Sequence, residues 1–161
     1  MNDISEIVKD LMSLSATKNI LISTAESCTS GLVSKYLTDT PGASKFYDSS
    51  IIAYSNKSKS DLLGVSEESL SIHGAVSENV VIEMTEGLFQ LTNSAVVLAV
   101  SGIMGPKSDI SSKKVGEVWF CWMHEDKIKN LNVFLSGSRL SNREEAAKIA
   151  IIGLYDFIKE I

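Results

Sequence analysis

Short apolar runs of strand length alternate with stretches of helical spacing along this chain, and this alternation limits the folds that it can adopt. β-rich runs cover Asn19 to Thr24, Ser49 to Tyr54 and Ala95 to Val100. The first two lead through small polar loops into helical patterns, and the third leads into a glycine-containing loop. Near-continuous apolar runs are typical of strands buried on both faces. Strands that alternate with helices indicate a mostly parallel sheet covered by helices.

The remaining segments have the spacing of helices and of one hairpin. Val115 to Met123 and Ile128 to Leu135 are separated by a four-residue polar turn, which predicts an antiparallel hairpin. Ser141 and Glu144 form a capping box that predicts the start of the last helix. The other predicted helices are residues 3–15, 32–37, 56–63 (ended by Gly64), 66–76 and 77–91. We therefore predict one domain over residues 1–161, a three-layer α/β/α sandwich on a mixed, mostly parallel sheet with one antiparallel strand.

The composition fits a globular protein and limits its partners. Hydrophobic residues make up 44% and charged residues 22%, enough for a full core. The net charge of -5 argues against a protein that coats nucleic acid. No apolar run approaches the eighteen or so residues of a membrane span, and the acidic amino terminus does not resemble a secretion signal. With only two cysteines, the sequence predicts a reduced, cytoplasmic setting with no membrane or nucleic-acid partner.

Three loops are expected to meet at one edge of the sheet. In open α/β sheets, ligands bind beyond the carboxyl ends of the strands. The loop Ala25 to Gly31 follows the first predicted strand, and the loop Ser101 to Gly105 follows the third. The segment Tyr54 to Lys59 follows the second, so all three are expected to line one crevice. Backbone N–H groups of the Ser101 to Gly105 loop could cradle a phosphate, and Arg139 or Arg143 could clamp one.

A serine, a tyrosine and a lysine in residues 42–59 could provide a nucleophile without histidine. Ser44 lies in a loop after Pro41-Gly42, Tyr54 ends the second predicted strand, and Lys59 lies in the first turn of the next helix. Lys59 could take a serine proton only when neutral, which requires its pKa to fall by roughly three units, or about 4 kcal/mol, from ~10.4. The hypothesis therefore requires a shielded lysine. The alternative is that Ser44 is a turn residue, Lys59 a solvated residue and Tyr54 a core residue.

Other catalytic readings are weaker. Cys28 is a rival nucleophile, because a helix start favours the thiolate, but a small buried cysteine is the commoner case. His73 and His124 lie far apart and have no carboxylate or thiolate residues at metal-ligand spacing. The sequence therefore predicts no metal site and no cofactor. No glycine-rich dinucleotide fingerprint follows the first strand, and Gly102 to Lys107 is not a P-loop.

Seven motifs follow one another in order over nearly the whole chain. They are Ala25-Glu26-Ser27-Cys28-Thr29-x-Gly31, Gly42-Ala43-Ser44, Tyr54-Ser55-Asn56-Lys57-Ser58-Lys59, His73-Gly74-Ala75-Val76-Ser77-Glu78, Ser101-Gly102-Ile103-x-Gly105-Pro106, Val115-Gly116-x-Val118-Trp119 and Gly137-x-Arg139. This series strongly resembles the nicotinamide mononucleotide deamidase family, the carboxy-terminal domain of the competence-damage-inducible protein CinA.

The resemblance implies a cytoplasmic, metal-free amidohydrolase that converts nicotinamide mononucleotide to the nicotinate form and ammonia. It also implies a homodimer, a small pyridine mononucleotide as the partner, no cofactor and a role in pyridine-nucleotide salvage. The family's nucleophile carries over as Ser44 and its base as Lys59, with Tyr54 assisting. The resemblance assigns substrate binding to these positions: Ser27, Thr29, Gly31, Ser101, Gly102, Gly105 and Arg139.

Two departures from the family pattern keep alternatives open. Ser30 stands where the family usually has glycine, and Lys107 to Lys114 lacks the usual Gly-Gly and the proline before Val-Gly. A catalytically silent nucleotide-binding module, or an amidase for a related pyridine nucleotide, is therefore a competing reading. The amino-terminal nucleotide-hydrolysing domain of longer family members is not seen in this sequence, so that activity is not expected of it.

Overall fold

The computed structural model describes residues 3–108 and 112–161. Its helices are α1 (Ile4–Lys18), α2 (Leu32–Thr38), α3 (Asn56–Leu63), α4 (Glu67–His73), α5 (Glu78–Leu91) and α6 (Arg139–Glu160). Its strands are β1 (Ile22–Glu26), β2 (Tyr47–Ile52), β3 (Val96–Gly102), β4 (Glu117–His124) and β5 (Lys127–Phe134). One short 3-10 turn, Ala43–Lys45, precedes β2.

The five strands form one sheet in the order β2-β1-β3-β4-β5. β1 pairs in parallel with both β2 and β3, while β4 pairs antiparallel with β3 and with β5. Only β4 therefore runs against the other strands of this sheet. The predicted α/β sandwich with a mixed, mostly parallel sheet is confirmed.

Two apolar cores lie on the two faces of the sheet. On one face, α1, α2 and α6 pack against buried side chains such as Ile22, Phe120 and Trp122. On the other face, α3 and α5 pack against Val97, Ala99 and their neighbours. β1 and β3 are buried along almost their whole length, because helices cover both of their faces. None of the helices in the described ranges is long and apolar enough to cross a membrane.

Capping residues fix the helix that carries Lys59. The Ser55 hydroxyl accepts from the backbone N–H of Ser58, and Gly64 ends α3 in the left-handed region at φ 68°. The end at Gly64 agrees with the sequence-based expectation, and Ser55 is a side-chain cap of the usual kind. The predicted start of the last helix at Ser141 is wrong: Ser138 is the N-cap of α6, and its hydroxyl accepts from the N–H of Ser141. A capping residue three positions earlier adds a turn and makes Arg139 the first residue of the helix.

The topology brings three strand ends together. β1, β2 and β3 are mutually aligned, so Glu26, Ile52 and Gly102 end at the same edge of the sheet. β4 runs the opposite way, and therefore starts at this edge with Glu117. The loops that leave this edge carry the candidate site.

Candidate active site

A buried amine is the centre of the site. Lys59 is 1% exposed, and its Nζ lies 2.9 Å from Ser27 Oγ. The same nitrogen lies 3.1 Å from the carbonyl oxygen of Ala53 and 3.0 Å from that of Tyr54. Among the described residues, the amine has no other oxygen within hydrogen-bonding distance, so none of its partners is a carboxylate. The amine is thus held by neutral groups alone.

Burial without a carboxylate partner changes the acid–base chemistry of Lys59. Removal from water disfavours the charged form, and this lowers its pKa from the ordinary 10.5 to about 8. At pH 7, roughly a tenth of such amines are neutral, against about one in 3000 at the ordinary pKa. Lys59 can therefore act as a proton acceptor near neutral pH, which meets the requirement for a shielded lysine.

The chain path explains why Lys59 reaches Ser27. Ser27 directly follows β1, and its backbone N–H donates to the carbonyl of Val100 on β3 at 3.1 Å. After β2, the backbone N–H of Ala53 donates to the carbonyl of Glu26 at 2.9 Å, which keeps the chain beside β1 until α3 begins. Lys59 lies on the first turn of α3, and its side chain points back toward that strand end.

The amine and the hydroxyl open onto a cavity of about 180 Å³. A second cavity of about 170 Å³ adjoins it and includes Lys107 in its wall. Four residues line both cavities: Tyr54, Gly102, Met104 and Arg139. The other residues that line the first cavity are Ser27, Cys28, Asn56, Lys59, Ala75, Val76 and Ser101. A ligand could therefore extend from the amine to a rim that carries two cationic side chains.

Arg139 bridges the rim between two loops. Its guanidinium donates to the carbonyl of Gly105 at 2.8 Å and to the hydroxyl of Tyr54 at 3.1 Å. Tyr54 is 58% exposed, so it is not the core residue of the alternative reading. Its hydroxyl is bonded to Arg139, whereas its backbone carbonyl holds Lys59.

Ser44 is not brought to Lys59, and this predicted pairing is corrected. Ser44 lies exposed in the 3-10 turn before β2, at the amino end of that strand. The amine of Lys59 donates hydrogen bonds to the carbonyls of Ala53 and Tyr54, which lie beyond the carboxyl end of the same strand. β2 has six residues, or about 20 Å at ~3.3 Å per residue, which lies between the two positions. The hydroxyl beside the amine is Ser27.

Thr29 and Gly31 give their polar groups to Glu26 rather than to the cavity. The Thr29 hydroxyl donates to Glu26 Oε2 at 2.7 Å, and the Gly31 N–H donates to the same oxygen at 2.9 Å. Neither residue lines either of the two cavities. Their predicted role as direct substrate contacts is therefore corrected to a structural role in the loop. Sequence reasoning assigned no role to Glu26, although a carboxylate between a strand and a helix start is a recognisable capping signal.

Residues 101–105, predicted as the loop after the third strand, do reach the site, although Ser101 and Gly102 are the last two residues of β3. Ser101 and Gly102 line the first cavity, and the Ser101 hydroxyl donates to the carbonyl of Ala75 at 2.8 Å. A Cβ on Gly102 would lie 2.9 Å from Met104 Cε, so glycine leaves the space that the Met104 side chain occupies. Gly105, at φ 92°, lines the second cavity. The stretch Lys107 to Lys114, which departs from the family pattern, includes residues 109–111, and these lie outside the described residues.

The rival nucleophile Cys28 lines the cavity but is a poor thiolate. Burial raises the pKa of the Cys28 thiol to about 12. At pH 7 only about one thiol in 10⁵ would be ionised. Arg143, the second candidate for a phosphate clamp, donates to the carbonyl of Thr29 at 3.3 Å and lines neither cavity.

Comparison with known proteins agrees with this fold. The model of the CinA C-terminal domain family matches residues 4–158. The chain belongs to this family. The nicotinamide-nucleotide amidohydrolase PncC of Enterobacter agglomerans is 41% identical over 140 residues, which are 86% of this chain and 85% of that protein. A CinA-like protein of Thermotoga maritima is 40% identical over 139 residues, 86% of this chain.

The chain spans only about a quarter to a third of the length of several relatives. It covers 34% of the Thermotoga maritima protein and 25% of a relative from Symbiobacterium thermophilum that is 50% identical over 107 residues. Among solved structures, a competence-damaged protein (CinA) superfamily protein from Klebsiella pneumoniae superposes with a TM-score of 0.95 at 27% identity, covering 99% of this chain and 100% of that one. The competence/damage inducible protein CihA from Agrobacterium tumefaciens gives 0.92 at 29% identity, covering 97% and 96%.

Proposed function

We propose that this CinA-family chain is an amidohydrolase that converts nicotinamide mononucleotide to nicotinate mononucleotide and ammonia, with Ser27 as nucleophile and Lys59 as general base. The observation that carries the proposal is the buried amine 2.9 Å from a serine hydroxyl at the wall of a cavity. The similarity to the PncC amidohydrolase supports the choice of substrate. The pairing needs no histidine and no metal ligand to generate a serine nucleophile.

The two carbonyl partners of Lys59 orient its lone pair. A neutral amine has two hydrogens and one lone pair. If the hydrogens go to the carbonyls of Ala53 and Tyr54, the lone pair faces the remaining partner, the Ser27 hydroxyl. Neutral Lys59 would then accept the hydroxyl proton in line with the attack of Ser27 Oγ on the carboxamide carbon.

The later steps return the same proton. The Oγ–carbon bond forms and the carbonyl oxygen becomes an oxyanion, which backbone N–H groups near Ser27 would stabilise. When the carbon–nitrogen bond breaks, the Lys59 ammonium donates its proton to the leaving ammonia. Neutral Lys59 then takes a proton from water, the hydroxide attacks the ester carbon, and Ser27 Oγ leaves with that proton. The products are the nicotinate carboxyl group and free enzyme.

In this proposal, the mononucleotide spans the two adjoining cavities, and its two ends have different surroundings. The carboxamide end would lie beside Ser27 and Lys59, next to Ser101 and Gly102. The phosphate end would lie at the rim, where Arg139 and Lys107 provide positive charge beside Gly105. Tyr54 would assist by holding Lys59 through its carbonyl and Arg139 through its hydroxyl.

The decisive experiment measures ammonia release from nicotinamide mononucleotide with purified wild-type, Ser27→Ala and Ser44→Ala proteins. We expect Ser27→Ala to lose at least about 10³-fold in kcat, because it removes the nucleophile. Ser44→Ala should stay within about twofold of wild type. An active Ser27→Ala protein, or an inactive Ser44→Ala protein with intact fold, would contradict the assignment.

The same assay separates the alternatives. A wild-type protein that binds the mononucleotide but releases no ammonia would be the silent nucleotide-binding module. Faster release from another pyridine nucleotide amide in a substrate panel would replace the proposed substrate. A cytoplasmic homodimer remains part of the proposal, and sedimentation equilibrium of the purified protein tests the dimer.

A further inference from the structure

The carboxylate of Glu26 is buried directly behind the candidate nucleophile. Glu26 is 0% exposed and is the last residue of β1, so Ser27 follows it in the chain. Successive side chains of a strand point to opposite faces of the sheet. Glu26 accordingly contacts the start of α2, while Ser27 contacts Lys59 on α3.

Five donors converge on this carboxylate, four of them from the segment that follows Ser27. Oε2 accepts from the Thr29 hydroxyl at 2.7 Å, from the Gly31 N–H at 2.9 Å and from the Val33 N–H at 3.2 Å. Oε1 accepts from the Ser34 N–H at 2.9 Å and, at the longer distance of 3.4 Å, from the Ser50 hydroxyl on β2. Apart from Ser50, the four donors belong to the loop and first helical turn that follow Ser27. A carboxylate offers only acceptors, so it suits this set of donors, whereas an amide would turn an NH₂ group toward N–H groups.

These bonds close a small loop around Ser27. The carboxylate at the beginning of residues 26–34 is tied to the end of the same segment. Within it, the Ser30 N–H donates to the carbonyl of Ser27 at 3.2 Å. The segment therefore cannot shift along the sheet edge without breaking bonds to a buried carboxylate, and such losses are costly.

We propose that Glu26 is a positioning residue for catalysis: its carboxylate fixes the loop of residues 27–34 so that the Ser27 hydroxyl stays in contact with the Lys59 amine. Glu26 lines neither cavity and touches no reacting atom in this arrangement. The inference deepens the proposed amide hydrolysis and rests on it. Its effect should appear in the chemical step, because a displacement of about 1 Å between reacting groups can cost ~100-fold in rate.

Glu83 provides a matched control elsewhere in the fold. Its carboxylate also accepts from a backbone N–H before a helix, that of Ser66 at 2.7 Å, and from the Ser69 hydroxyl. It lines neither cavity. Glu83→Gln thus removes a carboxylate cap, here a half-buried one, without touching the Ser27 loop.

The first test compares the steady-state kinetics of Glu26→Gln, Thr29→Val, Thr29→Ser and Glu83→Gln with wild type. We expect kcat to fall about 100-fold in Glu26→Gln and about tenfold in Thr29→Val, which removes only the shortest of the five bonds, while KM stays within about threefold. Thr29→Ser keeps the hydroxyl and should keep kcat, and Glu83→Gln should lower only the melting temperature. Unchanged kcat in both Glu26→Gln and Thr29→Val, or an equal fall in Glu83→Gln, would overturn the inference.

A second readout does not depend on turnover. In protein with ¹³C-labelled lysines, the Lys59 side-chain resonance can be titrated in Thr29→Val, which leaves the Glu26 charge in place. We expect the Lys59 pKa to rise from about 8 toward its ordinary value, because a displaced Ser27 lets water reach the amine. An unchanged titration in Thr29→Val overturns the positioning role. If wild type fails to release ammonia, the proposed substrate is lost, and this titration alone then decides the role of Glu26.

Discussion

The pH dependence of hydrolysis tests the central feature of the site, because the proposed base works only when Lys59 is neutral. Burial lowers the pKa of Lys59 to about 8, so the active, deprotonated form accumulates as the pH rises through that value. kcat/KM reports the ionisation of the free enzyme. We therefore expect kcat/KM to rise with pH and then to level off above the pKa of Lys59.

The pKa gives the size of each part of the profile. With a pKa of about 8, the neutral fraction rises from roughly 9% at pH 7 to about 50% at pH 8 and ~99% at pH 10. kcat/KM should accordingly rise about fivefold between pH 7 and 8 and only about twofold between pH 8 and 10. A lysine with the ordinary pKa of 10.5 would instead give an increase of roughly 75-fold between pH 8 and 10. The interval from pH 8 to 10 separates the two cases.

The assay follows ammonia release from nicotinamide mononucleotide continuously at pH 7 to 10. This range lies above the pKa of the substrate phosphate, which is ~6. Lys57→Arg is the matched control, since Lys57 lies on the same helix with its side chain 82% exposed. Its profile should coincide with that of wild type. A tenfold rise per pH unit that continues above pH 9, or a profile that is flat from pH 7 to 8, would refute Lys59 as the buried base.

Three further variants test the surroundings of the site by urea unfolding and turnover. Ser30 has φ 48°, so Ser30→Gly should raise the free energy of unfolding by up to about 1 kcal/mol, and a loss above ~0.5 kcal/mol would contradict the strain argument. A Cβ at Gly153 would clash with the Trp122 ring at 2.2 Å, so Gly153→Ala should lower the free energy of unfolding by about 2 kcal/mol. An unchanged free energy of unfolding would contradict the clash. Cys28→Ala should keep kcat within about threefold, and an inactive, folded Cys28→Ala protein would move the nucleophile to the thiol.

The fold was predictable because its signals are local and agree with one another. Apolar runs of strand length indicated β1 and β3, and Gly64 marked the end of the helix that carries Lys59. The start of α6 was harder to predict from the sequence. Two serines, Ser138 and Ser141, stand three residues apart, and either can cap a helix. The sequence alone does not choose between them.

The edge of the sheet could be predicted, but the partner of Lys59 could not. Parallel strands place their following loops at one edge, and this argument correctly grouped the loops after β1, β2 and β3. The resemblance assigned the nucleophile to Ser44, which precedes β2 and therefore lies at the opposite edge. Applied to Ser44, the same edge rule excludes it and leaves the serines that follow strands. Ser27 is the one of these that contacts the amine.

The shielding of Lys59 depends on main-chain carbonyls, which no residue pattern displays. The chain leaves the sheet at Ala53 and turns into α3 within three residues, so the carbonyls of Ala53 and Tyr54 have no partners in the strand ladder. Buried carbonyls need donors, and the Lys59 amine supplies them. The same bonds hold the amine away from water and leave one position on the nitrogen for Ser27. The end of β2 pairing therefore both buries the Lys59 amine and orients it toward Ser27. This explains why a lysine with no acidic partner can remain in the core of this fold.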